Sequence, residues 1–158
     1  AAKVMGHEVL SEATLDELFD HVKEIREQCG DRAFLRAYHF LNETQRAHDE
    51  AEALKKKDIK TFFQLVRESG RSSWMYLQNI SVGSMPESQA VAIGLAISES
   101  IIHEDGAYRV HGGGFAGTIQ AFVNKNTTEA FIERMEKTFG KGCCYILRIR
   151  DVGGIRLA

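Results

Sequence analysis

Hydrophobic positions in the first hundred residues recur at helical spacing. Leu15, Leu18, Phe19, Val22 and Ile25 form one apolar stripe, opened by a capping box in which Thr14 stands three residues before Glu17. Gly30 is placed to end that helix and Asp31 to cap the next. Residues 32–57 contain neither glycine nor proline, and Phe34, Tyr38 and Leu41, then Ala47, Ala51 and Leu54, carry the stripe onward. "KKKD" reads as a solvated helix end, its lysines near the negative pole of the dipole and Asp58 capping the next helix. That next helix carries Phe62, Leu65, Val66, Ser69 and Ser73 and is expected to reach Trp74 or Leu77. Ser84 and Glu87 form a second capping box around Pro86. The helix predicted there is apolar nearly all round (Val91, Ile93, Leu95, Ile97, Ile101, Ile102), which implies deep burial.

From residue 106 the period changes to two. In "AYRVH", Tyr108 and Val110 face one way, Arg109 and His111 the other. In "TIQAFV", Ile119, Ala121 and Val123 alternate with Thr118, Gln120 and Phe122. A short helix with Phe131, Met135 and Phe139 comes after them, and "CYILRIR" then alternates Tyr145, Leu147 and Ile149 against Ile146, Arg148 and Arg150, predicting a third strand. Helices followed by strand–turn–strand–helix–strand give an α+β class, with helices packed on one face of a small, mainly antiparallel sheet.

Composition narrows the function classes. A chain of 158 residues with 44% apolar and 27% charged residues fits one soluble domain. A net charge of −2 gives no reason to expect nucleic acid or an anionic membrane as partner. The longest apolar run, "AVAIGLAI", is too short to span a bilayer, and "AAKVMGHEVLSEATL" lacks the basic start and apolar centre of a secretory signal. Three cysteines, Cys29, Cys143 and Cys144, make neither a disulfide framework nor a metal-ligand spacing. A reducing, cytoplasmic setting with inert thiols is the expectation.

The chemistry concentrates in "HGGGFAG", where Gly112, Gly113, Gly114 and Gly117 fall within six positions. An esterase oxyanion hole is excluded, because no Gly-x-Ser-x-Gly elbow exists in the chain. A strand connection needs one or two glycines for positive φ. The excess suggests close approach of the backbone to another segment, a phosphate or a sugar. Turn and site wall both stay open on spacing alone.

The segment "GAYRVHGGGFAGTIQAFV" resembles the third motif of the GHMP small-molecule kinases in its galactokinase form, Gly-Ala-Arg-Met-Thr-Gly-Gly-Gly-Phe-Gly-Gly-Cys. His111 stands for threonine, Ala116 for glycine and Thr118 for cysteine. The resemblance continues elsewhere. His39, Glu43 and Arg46 match a helix of that branch, and Asp58, Phe62, Leu65, Val66, Ser69 and Ser72 match its next helix, with Gly70 where histidine is usual. Pro86 and Glu87 fit a Pro-Glu-Leu-Asp helix start, and "DVGGIRLA" is similar to the family's closing segment. The motifs of the family's N-terminal domain do not occur. The resemblance therefore implies a C-terminal domain over residues 1–158, ferredoxin-like in fold, from an enzyme that phosphorylates a sugar's anomeric hydroxyl with ATP and Mg²⁺. It implies that Gly112, Gly113, Gly114, Phe115, Gly117 and His111 line the substrate and phosphate cleft, with the catalytic groups on the other domain. The domain alone would be inactive and could self-associate through the face its partner covers. Galactose leads as the sugar, with N-acetylgalactosamine, arabinose or a heptose as alternatives.

His39, Glu43 and Arg46 share a helix face at i, i+4 and i+7. One histidine beside an arginine points to a structural hydrogen-bond network rather than a metal site. A stand-alone module binding a small metabolite without catalysis is the competing reading. An RNA-binding sheet is weaker, resting only on Phe122 with Arg148 and Arg150.

Overall fold

The computed structural model describes residues 1–115 and 117–149. Arg150 and the "DVGGIRLA" segment lie outside the described residues, as does Ala116. Two short 3₁₀ turns, Ala2–Met5 and Leu10–Glu12, lead into the helical part.

Thr14 caps helix α1 (Leu15–Asp20) as its spacing predicts: its hydroxyl accepts from the Glu17 N–H at 3.2 Å, and Glu17 accepts the Thr14 N–H in return. The single helix expected over this stretch is in fact two. The backbone leaves helical geometry at His21 (φ −102°, ψ 17°), whose ring Nδ1 donates to the Glu17 carbonyl, and α2 runs Val22–Cys29. Gly30, at φ 84°, ends α2 and is itself the N-cap of α3 (Asp31–Lys55). Asp31 is therefore inside the first turn and not the cap; its carboxylate accepts from Arg26 at 2.6 Å. Asp58 caps α4 (Ile59–Ser72) through the Thr61 N–H at 3.1 Å. α4 stops at Ser72, and a π-helical turn, Ser73–Leu77, completes the reach to Leu77.

The second capping box does not form. Residues 82–88 make two turns instead, with Met85 N–H donating to Val82 and Ser88 N–H to Met85. The residue before a proline is pushed away from helical φ/ψ, and here that residue is Met85. α5 (Ala90–Ile101) begins only where the apolar run begins. Its burial is one-sided: Val91 and Leu95 are buried, while Ile93 is about half exposed.

Strands β1 (Ala107–His111) and β2 (Thr118–Phe122) pair antiparallel with Ala107 opposite Phe122 and His111 opposite Thr118. They form a two-stranded ribbon, followed by α6 (Thr128–Phe139). The α+β class is what the chain has, and helices cover both faces of the ribbon. Ala107 and Phe122 pack on Phe62 and Val66 of α4. The alternate positions Tyr108, Val110 and Ile119 pack on Val91 and Leu95 of α5, and Tyr108, Ile119 and Ala121 meet Phe131 and Met135 of α6. A separate core of Leu18, Ile25 and Ala37 holds α1 and α2 to α3.

Among the described residues the predicted third strand does not form. Residues 143–149 carry no regular secondary structure, and Tyr145, Ile146, Leu147 and Ile149 are 77–85% exposed. Alternation shows that a segment can be a strand; hydrogen bonding to a neighbour makes it one. No helix among the described residues is long and apolar enough to cross a membrane.

Candidate functional site

The glycine loop follows β1. Gly112 (φ 68°), Gly114 (φ 76°) and Phe115 (φ 63°) all sit in the left-handed region, which glycine accepts freely and phenylalanine does not. What holds the loop lies about 35 residues upstream. Asn79, just past the π-helical turn, is buried, and its carbonyl accepts the Phe115 N–H at 2.5 Å. Its side-chain amide donates to the Gly113 carbonyl at 3.3 Å. A Cβ on Gly114 would run into the Asn79 backbone and come within 2.7 Å of its side-chain carbon. Gly114 is thus required twice, by φ and by contact.

The other glycines differ. A Cβ at Gly112 or Gly113 would meet nothing within 4 Å, so these two present bare backbone to open space. Gly117 closes the turn by donating to the Gly114 carbonyl at 3.1 Å. Phe115 is 40% exposed, and His111 stands exposed at the end of β1. A non-glycine residue held at positive φ stores backbone strain, which persists where the surroundings enforce it. Here the enforcement is the Asn79 contact. Nothing in the local sequence around the glycines announces it; the signal was the surplus of glycines itself, which called for a close neighbour.

The second set of residues meets across α3, α4 and β1. Glu43 is the hub: it pairs with Arg46, accepts from Ser69 Oγ, and takes Arg109 Nη1 at 3.3 Å. His39 Nδ1 lies 2.9 Å from Ser72 Oγ, one turn away on the same interface. His39, Glu43 and Arg46 do not converge on a single point, since His39 engages Ser72 and the other two engage each other. Sequence reasoning did not join Arg109 to this group, because strand and helix meet only through the tertiary fold.

The charges of this interface tune one another. Burial lowers the His39 pKa, against the pull of nearby Glu43, and leaves the ring neutral at pH 7. Burial raises the Glu50 carboxyl above its usual range, opposed by Arg109, reinforced by Glu43 and opposed again by Arg46. Glu50 Oε1 has no hydrogen-bond partner among the described residues. Such groups mark functional sites and structural networks alike. Ser69 and Ser72, which Glu43 and His39 engage, are both buried.

Among the described residues, no group of three or more His, Cys, Asp or Glu is placed to hold a metal ion. Cys29 and Cys143 are free and exposed. Burial and the adjacent Cys143 push the Cys144 thiol up, which keeps it protonated and a poor nucleophile.

No family model matches the chain. Among curated proteins it is similar to galactokinases over most of its length. The galactokinase of Bos taurus is 28% identical over 153 residues, covering 95% of this chain and 36% of that protein. The Homo sapiens enzyme is 29% identical over 149 residues, covering 92% of this chain and 34% of that protein. The Glaesserella parasuis serovar 5 enzyme is 26% identical over 141 residues, covering 89% and 35%. The chain spans about a third of the length of the curated relatives it matches.

Proposed function

We propose that this chain is the C-terminal domain of a galactokinase-like sugar kinase of the GHMP type, in which it forms one wall of the active-site cleft. One observation carries the reading: the similarity to galactokinases runs through nearly the whole chain, and so it is not the product of one glycine run. The loop geometry supports the assignment of the wall. Asn79 anchors the Gly113 carbonyl and the Phe115 N–H from behind and packs against Gly114, while the Cα sides of Gly112 and Gly113 face open space. Backbone without side chains lets a second segment or a phosphate approach closely.

In this reading the reaction moves the γ-phosphoryl group of ATP, with Mg²⁺, to the anomeric hydroxyl of a sugar, galactose first among the candidates. Such a transfer rests on positioning and charge stabilisation. The chain's part is positioning: a loop of fixed shape closes one side of the cleft and limits water there, with His111 and Phe115 at its rim. The activating base and the triphosphate ligands belong to the other domain, and this domain alone is inactive. Three free thiols suit a reducing cytoplasm.

The test uses the full-length polypeptide with ATP and a panel of aldoses, comparing the parent with Gly113→Val. A Cβ has room at that position, and the unfolding midpoint of the variant checks that its fold is kept. The expected result is phosphorylation of galactose, and turnover at least tenfold lower in the variant at an unchanged unfolding midpoint. Equal turnover in the two proteins sinks the wall assignment. A parent that phosphorylates no sugar sinks the kinase.

A further inference from the structure

A second concave site lies away from the glycine loop. It opens between α4, the π-helical turn, α5 and the edge of β1, with a volume of about 240 Å³. None of the described loop residues, 111–115 and 117, lines it. Arg67, Arg71 and Trp74 reach it from one stripe of the α4 region at i, i+4 and i+7; Glu99 comes from α5, and Tyr108 and Arg109 from β1. Gly70 makes the close approach possible. A Cβ there would press on the Tyr108 carbonyl at 3.1 Å and on Arg109 at 3.2 Å, so a side chain would push α4 and the strand apart by a few tenths of an ångström.

The lining has an uneven charge, three arginines against one glutamate. Two of the guanidinium groups are already engaged. Arg67 is bonded to the Gly106 carbonyl, and Arg109 is shared between Glu43 and the Val110 carbonyl. The Arg71 guanidinium makes no hydrogen bond or ion pair among the described residues, and beside it the Trp74 side chain is half exposed. A free guanidinium fork next to a flat aromatic face binds a carboxylate or phosphate on one side and a ring on the other. The volume falls below the roughly 300 Å³ at which pockets for drug-sized ligands begin, so the occupant is small.

We propose that this cleft binds a small ring-bearing anion, a phosphate monoester or carboxylate, with its charge on Arg71 and its ring on Trp74. The site is independent of the glycine loop and of the kinase reading. The ring lies against the indole, the anion takes the two N–H groups of the Arg71 fork, and Arg67 and Arg109 add field without giving up their own partners. Glu99 beside the Tyr108 hydroxyl limits how much negative charge the cleft accepts.

Trp74 is the only tryptophan in the chain, so its fluorescence reports this cleft alone. The experiment titrates the protein with phenyl phosphate, inorganic phosphate and phenol, exciting the indole selectively. The proposal expects a saturable change with phenyl phosphate, and binding at least tenfold weaker for phosphate or phenol alone. Arg71→Met should weaken phenyl phosphate at least tenfold, and Arg71→Lys less. Glu99→Gln should tighten it, which guards against a loss due only to misfolding. No saturable response, an Arg71→Met variant that binds like the parent, or phenol binding as well as phenyl phosphate would each overturn it. Equal binding of inorganic phosphate and phenyl phosphate overturns the ring half of the proposal.

Discussion

Two regions of this chain invert the usual distribution of residues. Around Glu43, charged and polar side chains of α3, α4 and β1 are gathered inside: Arg46, Ser69 and Arg109 all engage one carboxylate, and His39 meets Ser72 behind it. At residues 145–149 the apolar side chains of Tyr145, Ile146, Leu147 and Ile149 stand in the open. In the first region the groups around Glu43 answer one another, with Glu50 Oε1 the exception among the described residues; the second has strand-forming residues and, among the described residues, no strand beside them. The contrast teaches that partners decide burial, for polar and apolar groups alike.

The comparison breaks first at its polar end. Glu43→Ala removes the acceptor from two arginines and a serine at once. Breaking a fully buried pair costs about 3–5 kcal/mol. Since the Glu43 side chain is 25% exposed, roughly 2–4 kcal/mol is the expected loss, measured by urea unfolding. An effect within the error of the method would mean that the hub is ornamental.

Gly114→Ala comes next. It demands a left-handed alanine and a Cβ where Asn79 already is, an overpacking worth about 1–3 kcal/mol. Gly113→Ala, by contrast, should stay within about 0.5 kcal/mol, since its Cβ meets nothing. Equal losses at the two positions would remove Asn79 as the anchor.

A pH series sharpens the polar side further. The folded pKa of His39 lies below the usual 6.5, so the unfolded chain binds more protons; stability falls as pH drops below that value. Glu50 has the opposite sign. Its folded pKa lies above the usual 4.5, so its contribution is full below that value and is lost as pH rises through the folded pKa. Glu50→Gln should therefore be more stable than the parent at pH 7, with the difference shrinking toward pH 4. A constant difference across the series would exclude ionisation as its cause.

At the apolar end the effect on folding is smallest. Leu147→Glu, at a position 85% exposed, should shift stability by no more than about 0.5 kcal/mol. It should also lower any self-association seen by sedimentation, because exposed apolar residues of strand type invite pairing between copies. A large loss of stability would show that Leu147 is covered in solution.

How much the sequence disclosed depends on the range of each interaction. The Thr14 and Asp58 caps and the two-residue period of β1 and β2 depend on neighbours within four positions, and each was legible. The glycine surplus disclosed that something approaches the loop, but not that Asn79 does, since that contact spans about 35 residues. Glu43 and Arg109 are 66 positions apart and share no local pattern. The failures have local competitors: a ring nitrogen that takes the Glu17 carbonyl at His21, and a proline that disfavours helical backbone at Met85, inside the Ser84 box. Residues 143–149 failed for the opposite reason, because the pattern was present and, among the described residues, its neighbour was not.

The bond from Phe115 to Asn79 has a further consequence in time. The amide belongs to a surface loop, where exchange with solvent deuterium is normally fast, yet its proton is held by the carbonyl of a buried residue. Its release requires the hairpin and the α4–α5 connection to separate, so this one amide should outlast its loop neighbours. The same separation in sequence makes the bond a late one to form. The chain must first assemble the α4–α5 corner, and only then can the glycines find the surface that gives them their shape.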